Sequence, residues 1–223
     1  MDVGKGYEMP RLFLDREDAG RRLGEGYPGP RENALVLGIP RGGIPVGYFL
    51  AEAIGAGLDV LVTRKLPIPG NPEAGFGAIA PDGSRVINEE MMRALRLPEA
   101  EIIRVASRVL DEVRRREKAY RGERPFPELE DTNVILTDDG LATGYTMIAA
   151  VRMARQRGAA SVAVAVPVSP AGTFTRIEPL VDHFHCLYVS DRYPFAVASF
   201  YHDFHDLSDG EVLRYLGERR PAG

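Results

Sequence analysis

Short apolar runs alternate along this sequence with segments of helical spacing. Five runs are apolar enough for buried strands, and three of the segments between them have the periodicity of helices. The predicted strands are 34–37, 58–62, 134–138, 161–166 and 183–189, and the predicted helices are 44–56, 145–156 and 170–177. Strands and helices in this order predict an α/β domain with a mainly parallel central sheet flanked by helices.

The remaining segments predict local structure around this sheet. They are a capped helix at 15–23, a hairpin of 76–80 and 84–88 around Pro81-Asp82-Gly83, and a charged helical stretch at 91–120 interrupted near Pro98. The Pro-rich residues 66–72 predict a loop. No linker divides the chain into comparable halves, so we expect one domain over residues 1–223.

Composition excludes several classes of protein. The net charge is −4, from 28 basic and 32 acidic residues, which gives no general attraction to nucleic acid or to an anionic membrane. The single cysteine, Cys186, excludes an internal disulfide and fits a reducing compartment. The opening residues MDVGKGYEMP lack the apolar core of a signal peptide, and no stretch approaches 18 uncharged apolar residues. We therefore expect a cytoplasmic protein without a membrane span.

The stretch TDDGLATGYT, residues 137–146, lies where a predicted parallel strand ends and a helix begins, which is where open α/β sheets bind ligands. Ionised Asp138 and Asp139 only accept hydrogen bonds, so they suit a diol or a hydrated cation. The glycine-containing loop can turn backbone N–H groups inward, and Thr143 and Thr146 add hydroxyl donors beside the positive end of the helix. These groups together suit a ribose 5-phosphate. The alternative is an Asx turn with a threonine cap and no ligand, which leaves the second carboxylate unexplained.

The longer stretch VILTDDGLATGYT, residues 134–146, resembles the phosphoribosyl-pyrophosphate (PRPP) motif of type I phosphoribosyltransferases. The resemblance implies a Rossmann-like fold with a small hood, and assigns Asp138 and Asp139 to the ribose hydroxyls and to the positive charge that develops on the ring. It assigns the 5′-phosphate to the loop of Gly140, Leu141, Ala142, Thr143, Gly144, Tyr145 and Thr146. Gly140 departs from the family, which usually carries a branched apolar residue there, and is expected to loosen the loop without removing a ligand group.

A second loop, Pro40, Arg41, Gly42 and Gly43, also lies between a strand and a helix, and its glycines allow backbone and guanidinium to approach a charged oxygen. It resembles the family's pyrophosphate loop, especially the Arg-Gly-Gly form of some purine-salvage enzymes; the alternative is an ordinary tight turn. Arg64 and Lys65 are expected to end the second strand beside the pyrophosphate, or else to be a solvated strand end. By the same resemblance, residues 66–77 are the mobile loop that closes over the site and excludes water.

The acceptor pocket has a weaker pattern. Residues 195–204 resemble the hood segment of hypoxanthine-type enzymes, which would make Phe195 and Val197 base-binding and Asp203 an acidic residue near the metal, although the spacing here is shorter. An aromatic strand that packs the core is the alternative.

The four histidines of the sequence lie near the single cysteine, and their side chains are suitable zinc ligands. They are His183, His185, His202 and His205, beside Cys186, but no established zinc spacing is present. The basic run at 114–118 is interpreted as a solvated helix face rather than a nucleic-acid patch.

The resemblance implies a magnesium-dependent glycosyltransferase of nucleotide salvage, which moves ribose 5-phosphate from PRPP to a nitrogenous base and releases pyrophosphate. Mg²⁺ would be held mainly by the ligand. The core would cover residues 34–205, the hood would come from both terminal segments, and an insertion at 89–122 would cover the site or form a contact of a homodimer. The alternatives are a regulatory protein of the same fold that binds PRPP or a nucleotide without turnover, and a phospho-acceptor receiver domain, which leaves the Thr-Gly-x-Thr and Arg41 loops unused.

Overall fold

A computed structural model describes residues 11–218, apart from the side chains of residues 72 and 73. The prediction about the opening residues MDVGKGYEMP lies outside this range. The strands are β1 Ala34–Gly38, β2 Gly57–Val60, β3 Arg64–Ile68, β4 Asn71–Ile79, β5 Arg85–Ile87, β6 Asn133–Thr137, β7 Ser161–Pro170 and β8 His183–Ser190. The helices are α1 Arg16–Glu25, α2 Gly43–Ile54, α3 Glu89–Leu95, α4 Glu99–Arg121, α5 Tyr145–Gln156, α6 Ala171–Ile177 and α7 Asp209–Glu218, with short 3₁₀ turns at Glu178–Leu180 and Val197–Phe200.

The central sheet has five parallel strands in the order β2-β1-β6-β7-β8, which confirms the predicted α/β fold. Gly38, at the end of β1, is in register with Val60 of β2 and with Thr137 of β6. The loops that follow these strands therefore leave the sheet along one edge. This alignment brings together segments that are about one hundred residues apart in the chain.

Both faces of the sheet are buried over β1, β2, β6 and β7, as the apolar runs of these strands require, whereas the edge strand β8 is only partly buried. Side chains alternate between the two faces, so Val36 and Ile135 pack with helix α2, whereas Leu37 and Leu136 pack with helix α5. Helix α1 packs against α2 on the first face. Packing against these helices fixes the positions of the strand ends, and the predicted ligand loops begin at those ends.

The prediction of an irregular loop at 66–72 is wrong, whereas closure of residues 66–77 over the site stays a prediction. These residues belong to β3 and β4, which form an antiparallel sheet with β5, and a turn at Pro69 and Gly70 joins the two strands. Arg64 and Lys65 accordingly begin β3 instead of ending β2. Pro67 suggested a loop, but β3 is an edge strand and its register shifts at Pro67, which are the conditions under which a strand tolerates proline. The predicted hairpin around Pro81-Asp82-Gly83 is confirmed by β4 and β5.

The charged stretch at 91–120 forms two helices, α3 and α4, with Pro98 as the N-cap of the second. Helix α4 buries Val105, Val109 and Val113, and its last residue, Arg121, donates a 2.5 Å hydrogen bond to Asp59 on β2. Within residues 11–218, no helix combines the length and the apolarity that crossing a bilayer requires.

Candidate functional site

A cavity of about 380 Å³ lies at the carboxyl end of β6. Its lining comprises Lys65, Ala74, Gly75, Met91, Asp138, Gly140, Leu141, Ala142, Thr143, Gly144, Tyr145 and Thr146. The loop residues predicted to hold a 5′-phosphate therefore border one space, together with one residue of the acidic pair. Lys65 and Gly75 come from the β3–β4 hairpin, so the hairpin forms the opposite wall.

Hydrogen bonds to neighbouring elements hold the loop between β6 and α5 in place. The Thr173 hydroxyl donates to the carbonyl oxygen of Ala142 at 2.7 Å, and Arg176 donates to that of Thr143 at 3.0 Å. The N-cap of α5 is Gly144, with φ of 75°, and a Cβ there would lie 2.7 Å from Thr173 Cγ2. Because the first N–H groups of a helix have no partner inside it, this arrangement leaves an anion-binding helix terminus at the cavity.

Gly140 is buried beneath two valines. A Cβ at this position would lie 2.7 Å from a methyl group of Val168 and 2.7 Å from one of Val197. The structure thus gives a packing reason for the residue that departs from the family pattern. It also places Val197, a predicted base-binding residue, against the loop.

The Pro40–Gly43 loop packs directly on the acidic pair. A Cβ on Gly43 would lie 2.9 Å from the Asp138 Cα, and a Cβ on Gly42 would overlap the Asp139 carboxylate. The peptide bond between Pro40 and Arg41 is cis, and the Arg41 guanidinium lies 3.9 Å from the carboxylate of Asp209. The two predicted ligand loops are therefore adjacent, and glycine is required at the contact.

Arg16 binds Asp139 of the acidic pair, so the two carboxylates lie in different environments. Its Nε donates to Asp139 Oδ2 at 2.8 Å, its Nη1 donates to the carbonyl oxygen of His205 at 2.9 Å, and only 9% of its side chain is exposed. The Tyr201 hydroxyl donates to the carbonyl oxygen of Asp139 at 2.6 Å. Asp139 is thus bound within the protein, whereas Asp138 lines the cavity. Sequence reasoning identified neither Arg16 nor Tyr201.

Burial also affects the ionisation of both carboxyls. It raises the pKa of Asp138 well above the usual range, and the neighbouring charge of Asp139 raises it further. Burial raises the pKa of Asp139 as well, although the Arg16 guanidinium opposes this effect. Burial therefore disfavours the ionised form of both carboxyls, and it does so more strongly for Asp138.

A second cavity of about 220 Å³ is lined by Pro40, Val62, Thr63, Arg64, Lys65 and Arg116. Thr63 is 5% exposed, and its hydroxyl has no hydrogen-bond partner among the atoms of residues 11–218. Arg64 and Arg116 both contact the Glu112 carboxylate, at 2.9 Å and 3.5 Å. Lys65 lines this cavity and the first one, so basic groups lie between the two spaces. Thr63 and Arg116 were not predicted.

The predicted acceptor residues are distributed differently. Phe195 packs against Phe200, with ring centroids 5.3 Å apart, in a small cluster that includes Val168 and Tyr201. Residues 197–200 form a 3₁₀ turn, so the aromatic segment is not the strand of the alternative interpretation. Asp203 is exposed and lines a separate cavity of about 250 Å³ that Arg16 also borders. Asp203 and Asp138 thus line different cavities.

The four histidines do not converge. His205 lies between Asp203 and Glu211, at 3.1 Å and 3.2 Å, while His185 packs beside Tyr27 and burial lowers its pKa. Across residues 11–218, no group of three or more His, Cys, Asp or Glu side chains is arranged to hold a metal ion.

Comparison with known proteins agrees with this geometry. A family model described as "Phosphoribosyl transferase domain" matches residues 19–205. Two Mycobacterium tuberculosis proteins, "Putative phosphoribosyl transferase MT0597" of strain CDC 1551 / Oshkosh and "Putative phosphoribosyl transferase Rv0571c" of strain ATCC 25618 / H37Rv, are each 41% identical over 207 residues. The match covers 92% of this chain and 46% of each relative, so the chain spans about half the length of these curated relatives.

A solved structure is also similar. The crystal structure of TT1426 from Thermus thermophilus is 37% identical, with a TM-score of 0.78 over 96% of this chain and 100% of that chain. Since the family model matches most of the chain, and these relatives match nearly all of it, this protein belongs to the phosphoribosyl transferase domain family.

Proposed function

We propose that this protein transfers ribose 5-phosphate from PRPP to a nitrogenous base and releases pyrophosphate. The observation that carries the proposal is the pair of cavities that meet at Lys65. One offers a helix N-terminus, two threonines and Asp138; the other offers Thr63, Arg64 and Arg116. PRPP has a phosphate at one end, a diphosphate at the other and ribose hydroxyls between them, so its groups match both cavities in chemistry.

The acidic pair then has two roles. Asp138 borders the cavity and accepts hydrogen bonds from the ribose hydroxyls. Asp139 is a positioning residue, because Arg16 and Tyr201 bind it inside the protein and Gly42 packs on it. Both carboxylates favour positive charge on the ribose ring, and such preorganised charge is the main catalytic contribution that a site of this kind offers.

Magnesium fits the donor set at this site. Asp138 supplies a carboxylate oxygen, and a PRPP diphosphate would supply further oxygens. Mg²⁺ is typically bound by one or two carboxylates together with substrate phosphates and retained waters. When bound, the ion would neutralise charge on the departing pyrophosphate, and Asp203 would not share it with Asp138 because the two line different cavities.

The acceptor is proposed to be a nitrogenous base of nucleotide salvage, bound near Val197 where that residue packs on Gly140. We further propose a single phosphoribosyltransferase domain with residues 89–122 as an insertion, a homodimeric state, and a cytoplasmic location without nucleic-acid partners. These proposals rest on the family resemblance, the composition and the absence of a repeated or divided core in the sequence.

A second candidate is a protein of the same fold that binds PRPP or a nucleotide without turnover. The packing of Phe195 against Phe200 favours it, because an aromatic ring held in that cluster is not among the residues that line the loop cavity. This candidate needs the same PRPP contacts and differs only in lacking an acceptor reaction.

One experiment separates the two candidates. Pyrophosphate release from PRPP is measured with magnesium across a panel of purine and pyrimidine bases, and PRPP binding is measured by calorimetry on the same sample. Release that depends on one base supports transfer and identifies the acceptor. Binding without release across the panel supports the regulatory protein, and absence of binding refutes both.

An Asp138→Asn variant tests the assignment of the carboxylate. It should weaken PRPP binding about tenfold or more, since hydrogen bonds to a charged group contribute roughly 1.5–3 kcal/mol. Asp111→Asn, at an exposed position on α4, removes the same charge away from the cavities and is the matched control. Equal affinity of both variants for PRPP would refute the ribose assignment.

A further inference from the structure

A third cavity, which we call the β3–α4 groove, lies between strand β3 and helix α4. Its volume is about 380 Å³, and its charged lining is Arg64, Lys65, Arg108, Arg115 and Glu112. Four basic side chains thus face one carboxylate. The groove shares Arg64 and Lys65 with the cavity beside Pro40, so the two spaces adjoin.

The helix presents these charges as one row. Arg108, Glu112 and Arg115 are spaced four and three residues apart, which places them on the same face of α4. At 1.5 Å per residue, Arg108 and Arg115 lie about 10 Å apart along the helix axis. A ligand that contacts both Arg108 and Arg115 must therefore be longer than a single phosphate.

The charges in the groove are only partly compensated. Glu112 contacts Arg64 at 2.9 Å, and it also contacts Arg116 at 3.5 Å on the side of the neighbouring cavity. Within residues 11–218, neither Arg108 nor Arg115 makes a salt bridge with a carboxylate, although the charge of Arg108 contributes to lowering the pKa of Glu101. An anionic oxygen is thus already accommodated between two guanidinium groups, while two more guanidinium groups remain without a salt-bridge partner in that part of the chain. Guanidinium groups are well matched to phosphate oxygens because their N–H donors form a fixed fork.

We propose that the β3–α4 groove binds the phosphate chain of an oligophosphate with three or more linked phosphates, either inorganic tripolyphosphate or a nucleoside triphosphate. The chain would lie along Arg108 and Arg115 and extend to Arg64 and Lys65. Since those two residues also line the cavity assigned to the diphosphate of PRPP, the oligophosphate and PRPP exclude each other. That competition rests on the proposed function, whereas the groove as an anion site does not.

The test uses the full chain and two double variants of equal charge. Arg108→Gln with Arg115→Gln removes the two charges of the groove that lack a salt bridge. Arg104→Gln with Arg114→Gln removes two charges from the same helix outside the groove and is the control. All four arginines are exposed. The control pair loses only the surface ion pair of Arg104 with Glu101 and a 3.4 Å hydrogen bond from Arg114 to the carbonyl oxygen of Pro81, so neither double variant should unfold the protein. Tripolyphosphate and ATP are titrated separately by calorimetry in magnesium-free buffer. The salt concentration is about 0.15 M, because salt screens non-specific attraction between charges. PRPP is titrated in a separate experiment with magnesium.

We expect the groove variant to bind tripolyphosphate at least tenfold more weakly than the unmodified protein, the control to bind it within twofold, and both to retain PRPP binding. Tighter binding of ATP than of tripolyphosphate would identify a nucleoside triphosphate as the ligand, and equal binding would identify the phosphate chain alone. No tripolyphosphate binding to the unmodified protein, or an equal loss in both double variants, overturns the proposal. Loss of PRPP binding in the groove variant overturns it too, because the groove would then belong to the PRPP site. If PRPP does not bind the unmodified protein but the tripolyphosphate results hold, the groove stands and the proposed function fails.

Discussion

At the scale of single residues, the most consequential side chain is Arg16. Its carboxylate partner, Asp139, is 123 positions away, and its other contacts are the carbonyl oxygen of His205 and the ring of Phe204, 3.8 Å from the guanidinium carbon. No local pattern distinguishes Arg16 from Arg21 or Arg22 on the same helix. The sequence therefore predicts the acidic pair, but it does not predict that Arg16 binds one of the two carboxylates, Asp139.

Replacing Arg16 by Met should destabilise the protein by about 3–5 kcal/mol, because it leaves Asp139 buried without its partner. Arg21→Met is the matched control: Arg21 is 53% exposed, and its ion pairs with Glu17 and Glu52 and its 4.0 Å cation–π contact with Phe49 should each contribute about 0–1 kcal/mol. Urea unfolding measures both changes. Similar small losses in the two variants would mean that Asp139 does not depend on Arg16.

The raised pKa of Asp138 predicts a pH dependence for ligand binding. The ribose hydroxyls need an ionised acceptor, and a raised pKa means that this carboxyl is protonated at a higher pH than an ordinary aspartate. PRPP affinity should therefore fall as the pH is lowered from neutral, before the ordinary range of carboxyl titration is reached.

Calorimetry of PRPP across this pH range, with Asp138→Asn run in parallel, checks the prediction. The variant cannot ionise at residue 138, so any dependence that remains in it comes from the phosphates of the ligand or from other groups. Identical pH profiles for the two proteins would show that Asp138 is not the titrating group.

Gly140→Ala should destabilise the fold by about 1–3 kcal/mol, since the new methyl group meets both Val168 and Val197. Adding Val197→Ala should recover part of the loss by making room. Gly172→Ala is the control, because nothing lies within 4 Å of a Cβ there. Thermal unfolding of the four proteins measures the effect, and a Gly140→Ala protein as stable as the control would mean that the loop shifts freely.

At the scale of elements, the apolar periodicity predicted every strand of the parallel sheet and the helices α2, α5 and α6. Burial on both faces makes β1, β2, β6 and β7 apolar runs, whereas the edge strand β8 is only partly buried. It did not predict β3, an edge strand in which Pro67 carries a loop signal and which is followed directly by Pro69. Helix α7 was also missed, although Ser208 and Glu211 have the spacing of a capping box. That short signal competes with the polar, loop-like residues that precede it.

The cap of α7 can be tested directly. The Ser208 hydroxyl accepts from the Glu211 N–H at 3.3 Å, and the Glu211 carboxylate accepts from the Ser208 N–H at 2.8 Å. Ser208→Ala should therefore cost about 1 kcal/mol of stability. Ser107→Ala, at an exposed position within α4, should be close to neutral. A loss in the second variant equal to that in the first would contradict the capping role, as measured by urea unfolding.

At the scale of the whole molecule, the candidate site exists because the parallel register aligns the ends of β1, β2 and β6. Each ligand loop was recognisable from its own residues, yet their contact through Gly42 and Gly43 depends on strand order, which the sequence does not encode locally. Thr63 and Arg116 were not predicted for the same reason. A threonine near a strand end and an arginine in a basic run have no distinctive pattern, and the two line one cavity only because β3 and α4 pack together.

The two adjoining cavities predict that the two ends of the ligand bind separately. Ribose 5-phosphate should depend on the loop of α5, and pyrophosphate should depend on the cavity beside Pro40. Each fragment at one hundred times its Kd should add about 2.7 kcal/mol of stability, because it binds only the folded state. For a chain of this size, that is a rise in Tm of roughly 5–10 °C.

Thr143→Val should abolish most of the Tm rise with ribose 5-phosphate and keep the rise with pyrophosphate, whereas Arg116→Gln should do the reverse. Arg104→Gln, on the same helix but outside the cavities, should retain both responses. If either variant lost both responses equally, the two cavities would act as one undivided site. If neither variant lost any response, the phosphate groups would bind outside these two cavities, and the assignment of one end of the ligand to each cavity would be wrong.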